Sequence, residues 1–359
     1  MTESQMNKRV KVLVVDDSAV IRQLLTMLLS ADPEIDVVGS ASDPLVARDR
    51  IKALNPDVVT LDVEMPNMNG VEFLRKIMTL RPMPVVMIST LTQAGAEITL
   101  EALEIGAVDF IAKPTHDVAN AMTAIAEELQ SKVKHAAHAR VGGRKLIKPA
   151  LQRKRPVLSQ DRLIAIGAST GGVEALKTVL MDMPAECPPV VITQHMPPRF
   201  TAAFAERLNR ECPMRVSEAK HDEPIEPGHA YIAPGSHHLL LARKAGKYFC
   251  QIDDGPPVSG HRPSVDALFA SVARVAKDAA VGVILTGMGK DGAIGMLDMR
   301  NAGAITLGQD EASSLIYGMP KVAFERGAVM HQHSLSHMAD AIVEACAQRS
   351  PNHKPEHAA

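Results

Sequence analysis

Three polar side chains in the C-terminal half of the chain stand where chemistry could be done. Ser169 lies inside the glycine-rich run GASTGG (167–172), His195 directly follows the apolar run VVITQ, and Asp291 lies in a second glycine-rich stretch, TGMGKDG. A serine in such a turn has three readings: a phosphate cradle, a nucleotide-binding turn, or a nucleophile raised between a strand and a helix. The first needs G-K-[ST] after its glycines, and no lysine stands there before Lys177. The second needs G-x-G-x-x-G and an acid ending the next strand, where this chain has His195. The third expects a base and an orienting acid at other strand ends, and His195 and Asp291 supply them. An imidazole would take the serine proton, a carboxylate would fix the imidazole tautomer, and glycines would turn backbone N–H groups towards a reacting carbonyl.

A second set of polar residues occupies the N-terminal half. Asp16 and Asp17 end the run VKVLVV, Asp62 ends DVVTL, Ser89 ends PVVMI, and Lys113–Pro114 follow AVDFI. Carboxylates gathered at one sheet edge repel one another and raise each other's pKa values, and a hard divalent cation such as Mg²⁺ relieves that repulsion. With a lysine and a hydroxyl added, the set suits an incoming phosphoryl group attacked by a carboxylate.

Both sets require elements that end at one edge. Short runs rich in Val and Ile alternate with amphipathic stretches from Val10 to about Ser131, and a second alternating series starts near Arg162. Such βα alternation predicts α/β architecture with two domains, each a doubly wound, mostly parallel sheet. Residues around Ala245–Gly246 predict an antiparallel hairpin inserted in the second. The expected boundaries are a phosphoacceptor domain at 8–131, a basic linker at 132–160, a catalytic domain at 161–349 and a flexible tail at 350–359. The linker reads as a solvated connection, or alternatively as a basic strip touching an acidic partner.

Bulk composition removes several classes of function. A net charge of −2, no Trp and few other aromatics argue against a nucleic-acid surface. The four cysteines form no C-x-x-C pair, so free buried thiols are expected. The apolar run after Lys8, Arg9 and Lys11 stops at Asp16, too short for a signal-peptide core, and no segment reaches membrane-span length, so a cytoplasmic chain without membrane insertion is expected. His331, His333 and His337 read as a solvated turn before the last helix, and His237–His238 as a strand opening without partner spacing; no metal is expected in the second domain.

The residues VLVVDDS, LDVEMPNMNG and FIAKP resemble the receiver domain of two-component response regulators. The resemblance implies a flavodoxin-like fold, Asp62 as phosphoacceptor, Asp16 and Asp17 helping it hold Mg²⁺, and Ser89, Phe110 and Lys113 as switch residues. GASTGG, TQHMPPRFTAAFAERLN, HRPSVDALFASVA, TGMGKDGAIGML and LGQDEASSLIYGMP resemble the chemotaxis protein-glutamate methylesterases, the CheB family. With the receiver, the likeness spans nearly the whole chain outside linker and termini. It implies a hydrolase with Ser169 as nucleophile, His195 as base, Asp291 as orienter, the Met288 N–H as oxyanion donor and Thr170 as a support for the imidazole. The implied substrates are glutamate γ-methyl esters, which release methanol, and glutamines of methyl-accepting chemotaxis receptors. The implied phosphodonor is a chemotaxis histidine kinase, and the family precedent is a receiver that covers the catalytic cleft until phosphorylated. The order Ser, His, Asp differs from the Ser, Asp, His order of α/β-hydrolases and disfavours that fold, although G-A-S-T-G satisfies its G-x-S-x-G pattern. The rivals are a non-catalytic receptor adaptor, which methanol release would exclude, and a DNA-binding output, for which no helix-turn-helix signature is found.

Overall fold

Two parallel sheets, each built from alternating strands and helices, account for both sets of polar residues. The protein is described here by a computed structural model, covering residues 9–65, 68–90, 92–113, 118–141 and 161–347. The expected linker residues 142–160 and the tail from 350 lie outside it. The chain divides into two units, Met1–Lys145 and Leu146–Ala359.

The first unit runs β1 (Val10–Val15), α1 (Ala19–Ser30), β2 (Ile35–Ala41), α2 (Pro44–Leu54), β3 (Val58–Asp62), α3 (Gly70–Leu80), β4 (Val85–Ser89), α4 (Gln93–Ile105), β5 (Asp109–Ala112) and α5 (Val118–Ala136). Its sheet has the order β2-β1-β3-β4-β5 with every pairing parallel. Every residue of β3 and β4 is buried, which explains their unbroken apolar runs. Ser18, Asp43, Asn69 and Thr92 cap α1 to α4 by accepting backbone N–H bonds from the first turn. The last helix overruns the expected domain end at 131 and takes in residues 132–136. The apolar period continues through Leu129, Val133 and Ala136, all buried. Lys134 pairs with Asp32 at 2.7 Å and Glu34 at 2.9 Å, so these basic residues belong to the helix rather than to a solvated connection.

The second unit runs β6 (Leu163–Ala168), α6 (Gly172–Asp182), β7 (Val190–Gln194), α7 (Phe200–Glu211), β8 (Arg215–Glu218), β9 (His229–Ile232), β10 (His238–Lys244), β11 (Lys247–Asp253), α8 (Val265–Val275), β12 (Ala280–Ile284), α9 (Ala293–Asn301), β13 (Ile305–Gln309), α10 (Met319–Glu325), β14 (His331–His333) and α11 (Leu335–Ala347). Its seven strands are all parallel in the order β14-β13-β12-β6-β7-β9-β8. The chain starts at β6, steps one way to β7 and later returns to β12 on the other side. That makes the end of β6 a topological switch point, where open α/β sheets bind ligands.

Strands β10 and β11 pair antiparallel outside the main sheet, as expected. Positive φ at Ala245 (48°) and Gly246 (82°) gives the turn whose twist matches the strands. The hairpin packs on α8, which also packs on α9 and the central strands. The core there gathers Val265, Leu268, Phe269 and Val272 with Met296, Met299 and Tyr231. One expectation fails: His331 and His333 do not lie in a turn but form an edge strand pairing parallel with β13. Backbone pairing offered by β13 outweighs the polar character of HQH.

His229 is buried on β9, its ring 3.9 Å from that of Tyr231 and its Nε2 2.8 Å from the Ser217 hydroxyl. Burial, with a smaller push from Arg215, lowers its pKa from 6.5 to about 4. An unfolded chain therefore binds a proton below its ordinary pKa that the folded chain refuses. Stability from His229 is full above about pH 6.5 and is lost as pH falls towards 4, by on the order of 3 kcal/mol at most. Urea unfolding at pH 7 and pH 4.5 should show a smaller acid loss in His229→Gln, which does not titrate. An equal loss in both proteins would assign the acid sensitivity to other groups.

Candidate active site and phosphoacceptor site

The two sites are built by the same device, the carboxyl ends of parallel strands, with opposite electrostatic solutions. In the first unit Asp16 follows β1, Asp62 ends β3, Ser89 ends β4 and Lys113 follows β5. Carboxylate oxygens of Asp16, Asp17 and Asp62 lie within 4.8 Å of one another, and this is the only such ligand group among the described residues. Asp16 and Asp62 are buried, and Lys113 Nζ stands 3.1 Å from Asp16 Oδ2 and 2.8 Å from Asp62 Oδ2. Burial raises the Asp62 pKa to about 6, with Lys113 pulling it down and the Asp16 charge pushing it further up. Three carboxylates whose oxygens lie this close together, two of them paired with Lys113, form a donor set that fits a hard divalent cation. Gly70, which opens α3, is required beside the site: a Cβ there would lie 1.9 Å from the Asp62 carbonyl oxygen. Ser89 is buried, and its Oγ accepts a 2.7 Å bond from the Thr99 hydroxyl on α4. Phe110 is also buried, with Lys132 Nζ 5.2 Å from its ring centroid and 2.7 Å from its carbonyl oxygen.

In the second unit the adjacent strands β12, β6 and β7 bring Asp291, Ser169 and His195 to one edge. His195 Nδ1 lies 3.1 Å from Ser169 Oγ, and His195 Nε2 lies 2.8 Å from Asp291 Oδ2. Asp291 can only accept, so it fixes the imidazole proton on Nε2 and leaves the Nδ1 lone pair facing the serine. In the serine-protease template the nitrogens are used the other way round. The tautomer is what matters, and it is equally well defined here.

The turn that carries Ser169 depends on its glycines. Gly171 has φ +78° as the residue before α6, which an L side chain adopts only with strain. At Gly172 a Cβ would lie 2.0 Å from Gln194 Oε1. That vacancy admits the Gln194 amide, whose Nε2 donates to the carbonyl oxygens of Ser169 (3.0 Å) and His195 (3.1 Å) and so ties the two strand ends together. At Gly287 a Cβ would come within 2.9 Å of Ser169 Cβ, so the loop carrying Met288 is packed directly against the serine. The Thr170 carbonyl receives the Thr286 hydroxyl at 3.0 Å. That links the serine turn to the same loop.

Asp291 is the most heavily bonded carboxylate of the site. Besides His195 it accepts from Ser264 Oγ (2.8 Å), Val265 N (2.7 Å) and Asp266 N (2.9 Å) at the N-terminus of α8. Burial pushes this carboxyl up, but His195 and the backbone donors outweigh it and hold it below the usual carboxylate range. Asp266, in the first turn of α8, returns the arrangement by accepting from Ile294 N (3.1 Å) and Gly295 N (2.8 Å) at the start of α9. Burial, opposed by the Gly295 N–H and the Ser259 hydroxyl, raises Asp266 beside its charged neighbour. His238 supports Ser264: its Nδ1 accepts from Ser264 N at 3.2 Å, and its Nε2 lies 3.0 Å from the Pro256 carbonyl oxygen. Gln194, His238, Ser264 and Asp266 were not identified from the sequence. Only Ser264 carried a usable signal, as a serine three residues before Ala267 at a helix start. Ser264→Ala removes both the cap of α8 and one donor to a buried carboxylate. It should cost about 2 kcal/mol in urea unfolding and slow turnover less than loss of Asp291 does; unaltered stability would show that the backbone donors suffice.

The described helices include none long and apolar enough to cross a membrane. The four cysteines are free, and burial raises the Cys187 and Cys212 thiols to about 11 and Cys346 to about 12, so their thiolates are scarce at neutral pH.

Residues 164–342 match the family model for the CheB methylesterase, and residues 12–126 match that for the response regulator receiver domain. A protein-glutamate methylesterase/protein-glutamine glutaminase of Methylobacillus flagellatus is 54% identical over 347 residues, covering 95% of this chain and 98% of its own. One so named from Caulobacter vibrioides is 57% identical over 344 residues, covering 95% and 99%. The crystal structure of the Thermotoga maritima CheB methylesterase catalytic domain matches with TM-score 0.50 at 35% identity, over 51% of this chain and 97% of that one. Family models on both units, and relatives matched at more than half identity from end to end, lead to one conclusion: this chain belongs to the CheB methylesterase family and joins a response regulator receiver domain to the methylesterase domain.

Proposed function

We propose that this protein hydrolyses glutamate γ-methyl esters and deamidates glutamines on methyl-accepting chemotaxis receptors, in the cytoplasm, under control of phosphorylation at Asp62. The observation that carries the catalytic part is the continuous hydrogen-bonded run from Ser169 Oγ through the His195 ring to Asp291, at 3.1 Å and 2.8 Å. Ser169 Oγ attacks the side-chain carbonyl carbon while its proton passes to His195 Nδ1. The imidazolium so formed keeps its Nε2–H on Asp291, whose ionised state the donors of α8 favour. The Met288 N–H, on the loop that touches Ser169, is the proposed oxyanion donor, and Thr170 supports the imidazole. On collapse the Nδ1–H proton goes to the leaving group, giving methanol from an ester or ammonia from a glutamine. Water, deprotonated by Nδ1, then attacks the acyl-enzyme and releases a glutamate carboxylate and free Ser169.

In the receiver, a chemotaxis histidine kinase or a small phosphodonor supplies the phosphoryl group and an Asp62 carboxylate oxygen accepts it. Mg²⁺ held by Asp16, Asp17 and Asp62 would neutralise the phosphoryl oxygens. Lys113, already bonded to Asp62, is positioned to follow the new charge, and Ser89 and Phe110 are the groups whose rearrangement would carry the signal.

Ser169→Ala should remove methanol release and glutamine deamidation together, leaving only the residual acceleration of oxyanion donors and binding. Near-normal turnover of either substrate in a folded variant would exclude the serine mechanism. Asp291→Asn favours the wrong tautomer; a clear loss is expected, short of the ~10⁴-fold of the protease template because an ester leaving group departs more easily. For regulation, initial methanol release by the full chain should rise with a small phosphodonor and Mg²⁺, and Asp62→Asn should keep the basal rate but lose the rise. A rise that survives in Asp62→Asn would place the phosphorylation elsewhere.

A further inference from the structure

The motif HRPSVDALFASVA opens with a histidine that the mechanism above does not use. His261 lies flat against His195, with ring centroids 3.9 Å apart and planes 13° from parallel. Both rings are held. His195 is fixed at its edges by Ser169 and Asp291. His261 is carried on a tight two-residue turn, with Val258 and His261 exchanging both backbone bonds at 3.0 Å. Ser259 (φ +52°) and Gly260 (φ +82°) occupy the two positions of that turn that demand positive φ. The Ser259 hydroxyl donates to Asp266 Oδ2 at 2.7 Å, pinning the turn to the helix start that also holds Asp291.

We propose that His261 is a positioning residue for the reaction, acting through the face of the His195 ring. Two edge hydrogen bonds fix the ring in its plane but leave its faces free to tilt about the side-chain bonds. The stacked ring removes that freedom and covers one face from water. It also presents a π-face to His195 when that ring carries the positive charge taken from Ser169. Attraction between a cation and an aromatic face is worth about a tenfold change in rate when water is partly excluded. The effect falls on the charged transition state rather than on substrate binding, so it is read in kcat and not in KM.

This inference rests on the Ser169–His195–Asp291 reading, and Ser169→Ala, run alongside, tests that reading separately. Methanol release from methylated receptor is measured for the full chain carrying His261→Ala, His261→Leu or His261→Phe. The expected result is about a tenfold lower kcat with little change in KM for Ala and for Leu, which fills the volume without a flat π-face. Phe, which restores the flat face, should recover most of the rate. A merely structural turn residue would be served as well by Leu as by Phe. The proposal is overturned if Ala turns over at the wild-type rate, if Phe is as slow as Leu, or if the loss lies in KM. If the Ala variant fails to fold, the comparison of Leu with Phe decides.

Discussion

Burying the carboxylate of Asp291 beside an imidazole is the constraint around which the catalytic unit is arranged. An ionised carboxylate in a dry interior is costly unless every oxygen is hydrogen-bonded. Here the start of α8 supplies two backbone N–H groups and the Ser264 hydroxyl, and His195 supplies the remaining donor. The N-terminal end of a helix is the natural place for this because its N–H groups have no partner inside the helix and carry partial positive charge. The arrangement fixes where α8 must begin and obliges the loop after β12 to reach across to it. Asp266 repeats the device towards α9, so two adjacent helices are locked together by exchanged carboxylates. The same bonds that hold the helices in register therefore hold His195, the proposed base, in one tautomer.

The receiver shows the opposite treatment of the same residue type. Asp62 ends a strand as Asp291 follows one, but no helix N-terminus satisfies it; its neighbours are Lys113, two carboxylates and a single backbone donor, Glu64 N at 3.3 Å. Burial then raises it towards 6 while Asp291 is held low. Asp291, the proposed orienter, has fixed donors that favour its charged form. Asp62, the proposed phosphoacceptor, lies in a field of opposed charges set by Lys113 and Asp16. Environment rather than residue type sets the two roles.

Histidines divide in a similar way. His229 is sealed neutral in the sheet, His238 holds a helix cap, and His195 is left 10% exposed with its Nδ1 towards the serine. His261 belongs with the last by its stacking. Their sequence surroundings do not announce these differences, because each depends on what the neighbouring strand or turn brings to the ring.

Strand ends were legible in the sequence because apolar runs followed by a single polar residue leave little freedom in a parallel sheet. Asp16, Asp62, Ser89 and Lys113, and likewise Ser169, His195 and Asp291, could be read as two edge constellations from that pattern, and the hairpin at Ala245–Gly246 from its turn residues. The identity of the family was legible as well, since it is carried by contiguous motifs. What could not be read are contacts between segments far apart in the chain: Asp291 with Ser264, 27 residues away, Gln194 with Ser169, 25 away, and the stacking of His261 on His195. Local alternation was also misleading at two places, where β13 recruits His331–His333 as a strand and where Leu129, Val133 and Ala136 draw α5 past the expected boundary. The sequence by itself determined which residues come to the sheet edges, because strand direction and alternation are local properties. Only the tertiary structure decided which imidazole nitrogen faces the serine and which donors keep Asp291 ionised. Those depend on the distances between α8, β7 and β12, and no local pattern encodes them.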